Sequence, residues 1–196
     1  MEPTRQDRAQ FRELLMRLKR RGCNLLVVGE TDPSVRRRAS RRLFGAPLAS
    51  RTRLLVTVGD VTPDRWLPAE GSVVDAGVLT RGSPEDGRQD PFQATVARQI
   101  ADVDAEPGAC RVGVTSVAPL LDDADTTPML DAMREAVVDV SGIGHYHLAA
   151  SLDTVRERGV HEGFDAVLEL RRDGDAQERW HVPSRDLVTP WVPMEP

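Results

Sequence analysis

The sequence has few cysteines, lysines and aromatic residues, and it lacks long apolar runs. Its 196 residues include two cysteines and one lysine, and 4% are aromatic. Two cysteines cannot form a disulfide framework, so we expect Cys23 and Cys110 to be buried thiols without a metal. No run approaches the roughly 20 apolar residues of a membrane span. Because the first residues also lack a signal-peptide pattern, we expect a cytoplasmic protein.

The charged residues are unusual in kind rather than in number. The net charge is -5, every cationic residue except Lys19 is an arginine, and aspartate outnumbers glutamate. This composition suits a salt-rich cytoplasm, where acidic surfaces retain water and ions. It disfavours general nucleic-acid binding, because cationic surfaces hold backbone phosphates.

Short apolar runs alternate with amphipathic segments along the chain, which predicts strands that alternate with helices. The run 24–29 is typical of a strand buried on both faces. Asp32 is the expected N-cap and Pro33 the first residue of a helix to Phe44, so the segment begins a βαβ unit. Other strands are predicted at 53–58, 72–76, 111–116, 145–152 and 164–171, other helices at 5–21, 91–104 and 128–140, and surface loops at 81–90 and 122–127.

This alternation predicts one α/β domain over residues 1–189, with three layers and a mostly parallel central sheet. Asp173 and Gly174 predict the turn of a C-terminal antiparallel hairpin, with its second arm at 178–182. The Pro-rich tail, 190–196, has no reason to be ordered on its own.

Ligands of open parallel sheets bind at the carboxyl ends of the strands. The predicted ends carry Glu30, Asp60 and Asp153, so this edge is acidic. Such an edge holds phosphate poorly unless a divalent cation lies between the carboxylates. The plainer interpretation is that they are solvated loop carboxylates and helix caps.

The first loop has the position of a phosphate-binding loop without its chemistry. That motif has a glycine, four residues, and then Gly-Lys-Ser/Thr, in which the lysine neutralises phosphate and the hydroxyl holds magnesium. Gly29 is in register with the first glycine. Ser34 replaces the second glycine, Val35 the lysine and Arg36 the hydroxyl residue. The loop therefore lacks three features that hold a nucleotide triphosphate.

Four segments resemble the RecA/KaiC branch of P-loop ATPases, and particularly KaiC-like proteins of halophilic archaea. The strand 24–29 resembles the strand before the phosphate loop, and Ser83-Pro84-Glu85-Asp86 resembles a segment before a helix. The run 111–121, which ends in Pro-Leu-Leu, and the run 164–171 resemble two later strands. The resemblance implies a RecA-like fold in which strand 145–152 lies between the first and fourth strands.

The departures from that family suggest lost hydrolysis. Thr115 falls at the metal-side aspartate of the Walker B strand, and Val35 falls at the Walker A lysine. By resemblance, Ser151 takes the position that senses the γ-phosphate. The residues that would face a nucleotide are Gly29, Glu30, Ser34, Arg36, Asp60, Thr115, Ser116 and Ser151.

We therefore expect a pseudo-ATPase without a cofactor, which regulates or binds an unidentified protein partner or a second copy of the chain. Nucleic acid and membranes are not expected partners. The alternative is an atypical ATPase that uses Arg36 or Arg37 for phosphate and Asp60 for magnesium.

Two further patterns leave alternatives open. His145 and His147 share one face of a strand at a metal-ligand spacing, but the interpretation as paired polar residues in or near a strand end is favoured, because no Cys or third His is positioned to join them. The arginines at positions 36, 37, 38, 41 and 42 form either a solvated helix face or a contact for an anion or an acidic partner.

Overall fold

The computed structural model describes residues 5–59, 61–68, 76–81, 91–121 and 127–195. Helices and strands alternate along them, as the sequence predicts. The helices are α1 (Arg5–Arg21), α2 (Pro33–Phe44), α3 (Pro91–Ala101), α4 (Ala118–Leu121), α5 (Thr127–Asp139) and α6 (Leu152–Glu157). The strands are β1 (Cys23–Val28), β2 (Arg53–Val58), β3 (Ala76–Arg81), β4 (Arg111–Val114), β5 (Ile143–Leu148), β6 (Ala166–Asp173), β7 (Asp175–Val182), β8 (Leu187–Val188) and β9 (Val192–Pro193).

The described strands form one sheet in the order β3-β2-β4-β5-β1-β6-β7-β8, and β9 pairs with β7. All pairs from β3 to β6 are parallel, whereas β6, β7, β8 and β9 are joined by antiparallel pairs. The predicted fold class, a mostly parallel α/β sheet with a C-terminal antiparallel hairpin, is confirmed. β5 lies between β4 and β1, where the resemblance places it.

The central strands are apolar because helices cover both faces of the sheet. Every residue of β1, β2, β4 and β5 is buried. On one face, β-strand residues such as Leu26 and Val114 pack with α3 and α5. On the other face, Leu25 packs with α1 and Val27 packs with α2. Among the described helices, none is long and apolar enough to cross a membrane.

Local capping rules place α2 where the sequence predicts it. Asp32 accepts a hydrogen bond from the Ser34 amide (2.7 Å), Pro33 opens the helix, and Gly45 is its C-cap. A carboxylate at this position satisfies an amide that has no partner within the helix.

The third strand lies further along the chain than predicted. β3 occupies Ala76–Arg81, so Arg81 belongs to a strand rather than to the predicted loop. Pairing with β2 sets this placement, since Arg53 is opposite Ala76 and Val58 is opposite Arg81. The predicted strand residues 72–75 and the loop segments 82–90 and 122–126 lie outside the described residues.

The predicted strand 145–152 begins earlier and ends earlier in the structure. β5 starts at Ile143 and ends at Leu148, and Leu152 already belongs to α6. Ser151 is the N-cap of α6, so the chain turns into the helix there and the strand does not continue to Leu152. The predicted ends of α3 and β4 are likewise too long by three and two residues, since these elements end at Ala101 and Val114.

The segment 190–195 takes its order from the sheet. Val192 and Pro193 pair with β7, and Met194 is buried in the cluster beneath α2. The Trp191 ring lies beside the guanidinium groups of Arg171 and Arg179, at 4.2 and 4.5 Å from its centroid. Cation–π contacts and strand pairing therefore hold this tail against the hairpin.

Candidate functional site

The connection between β1 and α2 is short and closes against β6. Gly29 has a φ of +142°, and its amide donates to the Ala150 carbonyl (2.9 Å). A Cβ at this position would overlap the Leu170 carbonyl oxygen. Glycine is thus required by its backbone conformation and by its close approach to two other segments. The glycine predicted to begin a phosphate loop instead joins three segments of the carboxyl edge.

The N-terminus of α2 is occupied by the chain itself. The Asp32 carboxylate accepts the Ser34 amide, and the hydrogen bonds to Ser34 lower the pKa of Asp32. The Ser34 hydroxyl accepts a hydrogen bond from Arg172 on β6 (3.3 Å). Helix N-termini bind phosphate through free amides and a positive dipole. A carboxylate already uses one of these amides and places a negative charge beside them.

Val35, the residue predicted at the position of a Walker lysine, faces the core. Val35 is 1% exposed and packs with Val27 and Leu168. The next residue, Arg36, is half-buried, and its Nε has no hydrogen-bond partner in the described part of the chain. Burial, and then the charge of Arg37, lowers the pKa of Arg36. Arg36 therefore places a partly unpaired cation at this edge.

Thr115 and Ser116 follow β4 at the same edge. Thr115 is 2% exposed; its hydroxyl accepts the Val58 amide (3.1 Å), and its amide donates to the Val56 carbonyl. Thr115, which the resemblance puts at the Walker B aspartate, thus extends the contact between β4 and β2. Ser116 is half-buried in the turn that follows.

The remaining predicted residues are dispersed along the edge. Ser151 caps α6: its hydroxyl accepts the Thr154 amide (3.2 Å) and shares a hydrogen bond with the Thr154 hydroxyl. Glu30 and Asp153 are exposed, as expected for loop and first-turn carboxylates. Asp60 lies outside the described residues.

A buried polar layer lies under α2 in the middle of the sheet. The Ser40 hydroxyl donates to the Trp66 carbonyl (3.1 Å), and His145 Nε2 lies 3.2 Å from the Ser40 hydroxyl oxygen. Because a hydroxyl has one hydrogen, His145 Nε2 must carry the proton and donate to Ser40. Gly113 leaves space for this ring, since a Cβ there would lie 2.6 Å from His145 Nε2.

His147 lies one layer nearer to the carboxyl edge. Its ring contacts Trp66 edge-to-face at 5.0 Å and His145 at 5.5 Å, and neither ring nitrogen has a hydrogen-bond partner within the described ranges. Burial, and then the charge of Arg111, lowers the pKa of His145 to about 3. Burial, and then the charges of His145 and Arg36, lowers the pKa of His147 well below its usual value. Both rings are therefore neutral at physiological pH.

The described residues do not support a metal site at this histidine pair. No group of three or more His, Cys, Asp or Glu side chains comes together among them in a way that holds a metal. Cys23 and Cys110 are free and buried, as predicted. Burial raises the pKa of Cys23 to about 12 and that of Cys110 to about 11, so both stay protonated.

The arginine face of α2 makes contacts mainly within the chain. Arg38 donates to the carbonyls of Met194 and Glu195, and Arg41 donates to the Arg65 carbonyl. Arg42 pairs with Glu178 on β7. The pair of Arg42 with Glu178 agrees with a helix surface paired with nearby acidic residues. Arg38 and Arg41 have a structural role in addition, since they hold the tail and the segment 63–66 against the helix.

The C-terminal hairpin carries a charged cluster that the sequence patterns do not predict. Glu169 accepts from His181 (2.8 Å) and from Arg179, which lies opposite it in the pairing of β6 with β7. Burial opposes ionisation of Glu169, but these two hydrogen bonds prevail and lower its pKa. The predicted turn at Asp173 and Gly174 could have indicated this cluster, because the position of the turn determines that Glu169 and Arg179 lie opposite each other.

One family model matches the chain over residues 22–170, and its description is a family of unknown function, DUF7504. No curated protein matches the chain. The matched region begins at the residue before β1 and ends within β6, so it includes the loop before α2, the central histidine pair and the end of β4. The chain belongs to DUF7504, a family of unknown function.

Proposed function

We propose that this chain is a catalytically inactive RecA/KaiC-like domain, a cytoplasmic pseudo-ATPase that regulates or binds a protein partner or a second copy of itself. The observation that carries the proposal is the state of the α2 N-terminus. There Asp32 occupies the Ser34 amide, while Val35, at the lysine position, is buried in the core. A triphosphate at this helix would meet a carboxylate and would lack the cation that neutralises it.

Two further observations support the proposal. The strand order puts β5 between β1 and β4, which is the arrangement that the RecA/KaiC resemblance implies. Thr115, at the position of the metal-side aspartate, is buried and bonded to β2. The residues for binding phosphate and for holding magnesium are thus both replaced by residues with structural roles.

The test is a calorimetric titration of the protein with ATP and magnesium, together with an assay of phosphate release. We expect no hydrolysis and no micromolar binding at the carboxyl edge. The variant Asp32→Asn removes the carboxylate and keeps a capping side chain, and we expect no hydrolysis in it either because Val35 and Thr115 are unchanged. Micromolar ATP binding with measurable turnover in the wild type would overturn the proposal.

The second candidate is an atypical nucleotide-binding ATPase, in which Arg36 or Arg37 binds phosphate and Asp60 binds magnesium. One observation favours it: Arg36 is half-buried, and its Nε is unpaired among the described residues. In this case Arg36→Ala weakens nucleotide binding at least tenfold, whereas Arg20→Ala, an exposed arginine of α1, leaves it unchanged. If nucleotide does not change the melting temperature of the wild type, this second candidate fails.

The proposed binding of a protein partner or of a second copy of the chain is tested by a separate measurement. Sedimentation of the purified chain over a range of concentrations distinguishes a self-associating domain from one that needs another protein. A concentration-dependent dimer or ring supports the second-copy form of the proposal, and a monomer at all concentrations removes that form.

A further inference from the structure

A cavity of about 490 Å³ lies at the amino end of the sheet, opposite to the carboxyl edge. It is bounded by α1, by the first residues of β1, β4 and β5, and by the C-terminal strands β7 and β9. Its volume is in the range of small-molecule sites. One side is apolar, with Phe11, Leu18 and Trp180, and the Phe11 and Trp180 rings contact each other at 5.9 Å.

The other side of the cavity contains a buried arginine, Arg111, two of whose nitrogens are unpaired among the described residues. Arg111, the first residue of β4, lines the cavity and is only 4% exposed. Its Nε and Nη1 are buried, and neither has a hydrogen-bond partner in the part of the chain that the structure describes. A guanidinium has five N–H donors in a planar fork, and buried donors of this kind are normally paired.

The charges around Arg111 are mostly of its own sign. Lys19, Arg42 and Arg51 line the same cavity, and its two acidic lining residues are Glu178 and Glu195. Glu178 pairs with Arg42, and Glu195 is exposed.

No carboxylate of the described residues neutralises Arg111. Burial, and then the charge of Arg51, lowers the pKa of Arg111 to about 10, and burial and Arg111 lower the pKa of Lys19. Arg111 nonetheless remains charged at neutral pH. A buried charge without a partner is unfavourable, and an anion in the cavity would supply both the missing acceptors and the missing charge.

We propose that this cavity is a binding site for a small organic oxyanion, a phosphate or carboxylate attached to an apolar body. The oxyanion accepts hydrogen bonds from Arg111 and is attracted by Lys19 and Arg51, and the apolar body packs against Leu18 and Trp180. Cys23 also lines the cavity, but as a protonated thiol it serves as an apolar wall and not as a nucleophile.

This site is independent of the proposed loss of ATPase activity, because it lies at the other end of the sheet. Nucleotides are themselves organic phosphates, so the two sites are separated by variants. Nucleotide binding that disappears in Arg111→Gln belongs to this cavity, and binding that disappears in Arg36→Ala belongs to the carboxyl edge.

The experiment measures the melting temperature and the binding isotherm of the wild type with phenyl phosphate, benzoate, inorganic phosphate and benzyl alcohol in low-salt buffer. We expect phenyl phosphate or benzoate, or both, to raise the melting temperature and to bind at least tenfold more tightly than inorganic phosphate. Benzyl alcohol, which lacks the charge, should give no shift. Equal effects of inorganic phosphate and the organic anions would overturn the amphiphilic site.

Variants then locate the binding. Arg111→Gln should reduce the affinity at least tenfold, and without ligand it should melt at or above the wild-type temperature. If it does not fold, Lys19→Gln is the second variant, because Lys19 lies at the solvent-exposed end of α1 and still lines the cavity. We expect Lys19→Gln to weaken binding about threefold, as for one partly screened charge. Its matched control, Arg20→Gln, makes the same change of charge at the next residue, outside the cavity lining, and should have no effect.

Amide chemical shifts provide the last criterion. Phenyl phosphate or benzoate should shift the amides of residues near the cavity, such as Leu18, Cys23 and Trp180. The absence of any anion-dependent shift in the wild type, or equal affinity in the wild type and in the Lys19→Gln and Arg111→Gln variants, would overturn the proposal.

Discussion

Arg53 and Arg111 begin neighbouring strands and lie opposite each other in the pairing of β2 with β4. Both are buried, at 5% and 4% exposure. Both Nη atoms of Arg53 donate to carbonyls, those of Ala46, Ala49 and Arg51, and only its Nε has no partner in the described chain. Neither Nε nor Nη1 of Arg111 has a partner there. The loop before β2 thus supplies acceptors to one arginine, and a cavity adjoins the other.

The two ends of the sheet differ in the same way. At the carboxyl edge, Asp32, Thr115 and Ser151 each use their side chains to satisfy backbone amides of the same chain. At the amino end, Arg111 is charged, and its Nε and Nη1 have no acceptor among the described residues. Because these amides at the carboxyl edge already have partners, they are not available to a ligand. The unpaired nitrogens of Arg111 at the amino end are available, so a ligand is more strongly expected there.

We expect acid to destabilise the protein through the buried pair His145 and His147. Unlike the buried arginines, these two rings are neutral in the folded state. The pKa of His145 is lowered to about 3 and that of His147 is also lowered, so the unfolded chain binds more protons below about pH 6.5. Stability is full above that pH and falls as the pH decreases. Between pH 6.5 and 4.5 we expect a loss of about 2 kcal/mol for each ring.

Urea unfolding at the two pH values measures this loss. The variant His147→Gln should remove about half of the pH dependence, and His161→Gln, which lies outside the pair, should keep it. A wild type whose stability is the same at both pH values would contradict neutral burial of these rings.

Gly29→Ala tests whether the carboxyl edge is closed against β6. We expect a loss of about 3 kcal/mol, because a Cβ overlaps the Leu170 carbonyl and the positive φ is unfavourable for alanine. The control is Gly174→Ala, where φ is also positive but nothing lies within 4 Å of the added Cβ, and about 1 kcal/mol is expected. Urea denaturation compares the two, and equal losses would mean that the edge has room to open.

The comparison of the two arginines is tested by Arg53→Gln and Arg111→Gln, measured by urea unfolding without added anions. Arg53→Gln should cost about 2 kcal/mol, because it leaves buried carbonyls without donors. Arg111→Gln should cost close to nothing or stabilise the protein, since it removes an unpaired buried charge. A larger loss in Arg111→Gln than in Arg53→Gln would show that Arg111 has a structural partner.

Ser151→Ala should have the smallest effect, a loss of about 1 kcal/mol through the cap of α6. Ser184→Ala, at an exposed position, should stay within about 0.5 kcal/mol of the wild type. Thermal unfolding with and without ATP measures both variants. A variant that keeps its stability but changes a nucleotide response would assign Ser151 a ligand role instead of a cap.

Local rules predicted the parts of the fold that local interactions determine. The apolar run of β1 indicates a strand covered on both faces, and Asp32 with Pro33 locates the start of α2. The sequence pattern predicts β3 too early because the position of this strand depends on pairing with β2. It predicts β5 too long because Ser151 begins the cap of α6 and because the distant Gly29 amide binds the Ala150 carbonyl.

The side-chain contacts of the two candidate sites depend even more on residues that are distant in the sequence. Ser40 meets His145 across 105 positions of sequence, and Ser34 meets Arg172 across 138. From the sequence, Arg111 is only the start of a strand, because a charged residue at the end of an apolar run is usually solvated. Its burial follows from the packing of α1 and the C-terminal strands over the amino end, which no local pattern contains.

The position of β1 in the sheet also determines when it can fold. Its partners are β5, which begins at Ile143, and β6, which begins at Ala166. An apolar strand made early in synthesis must therefore wait for more than a hundred further residues before either neighbour exists. Such distant pairing slows folding and leaves β1 open to aggregation or chaperone binding on the ribosome.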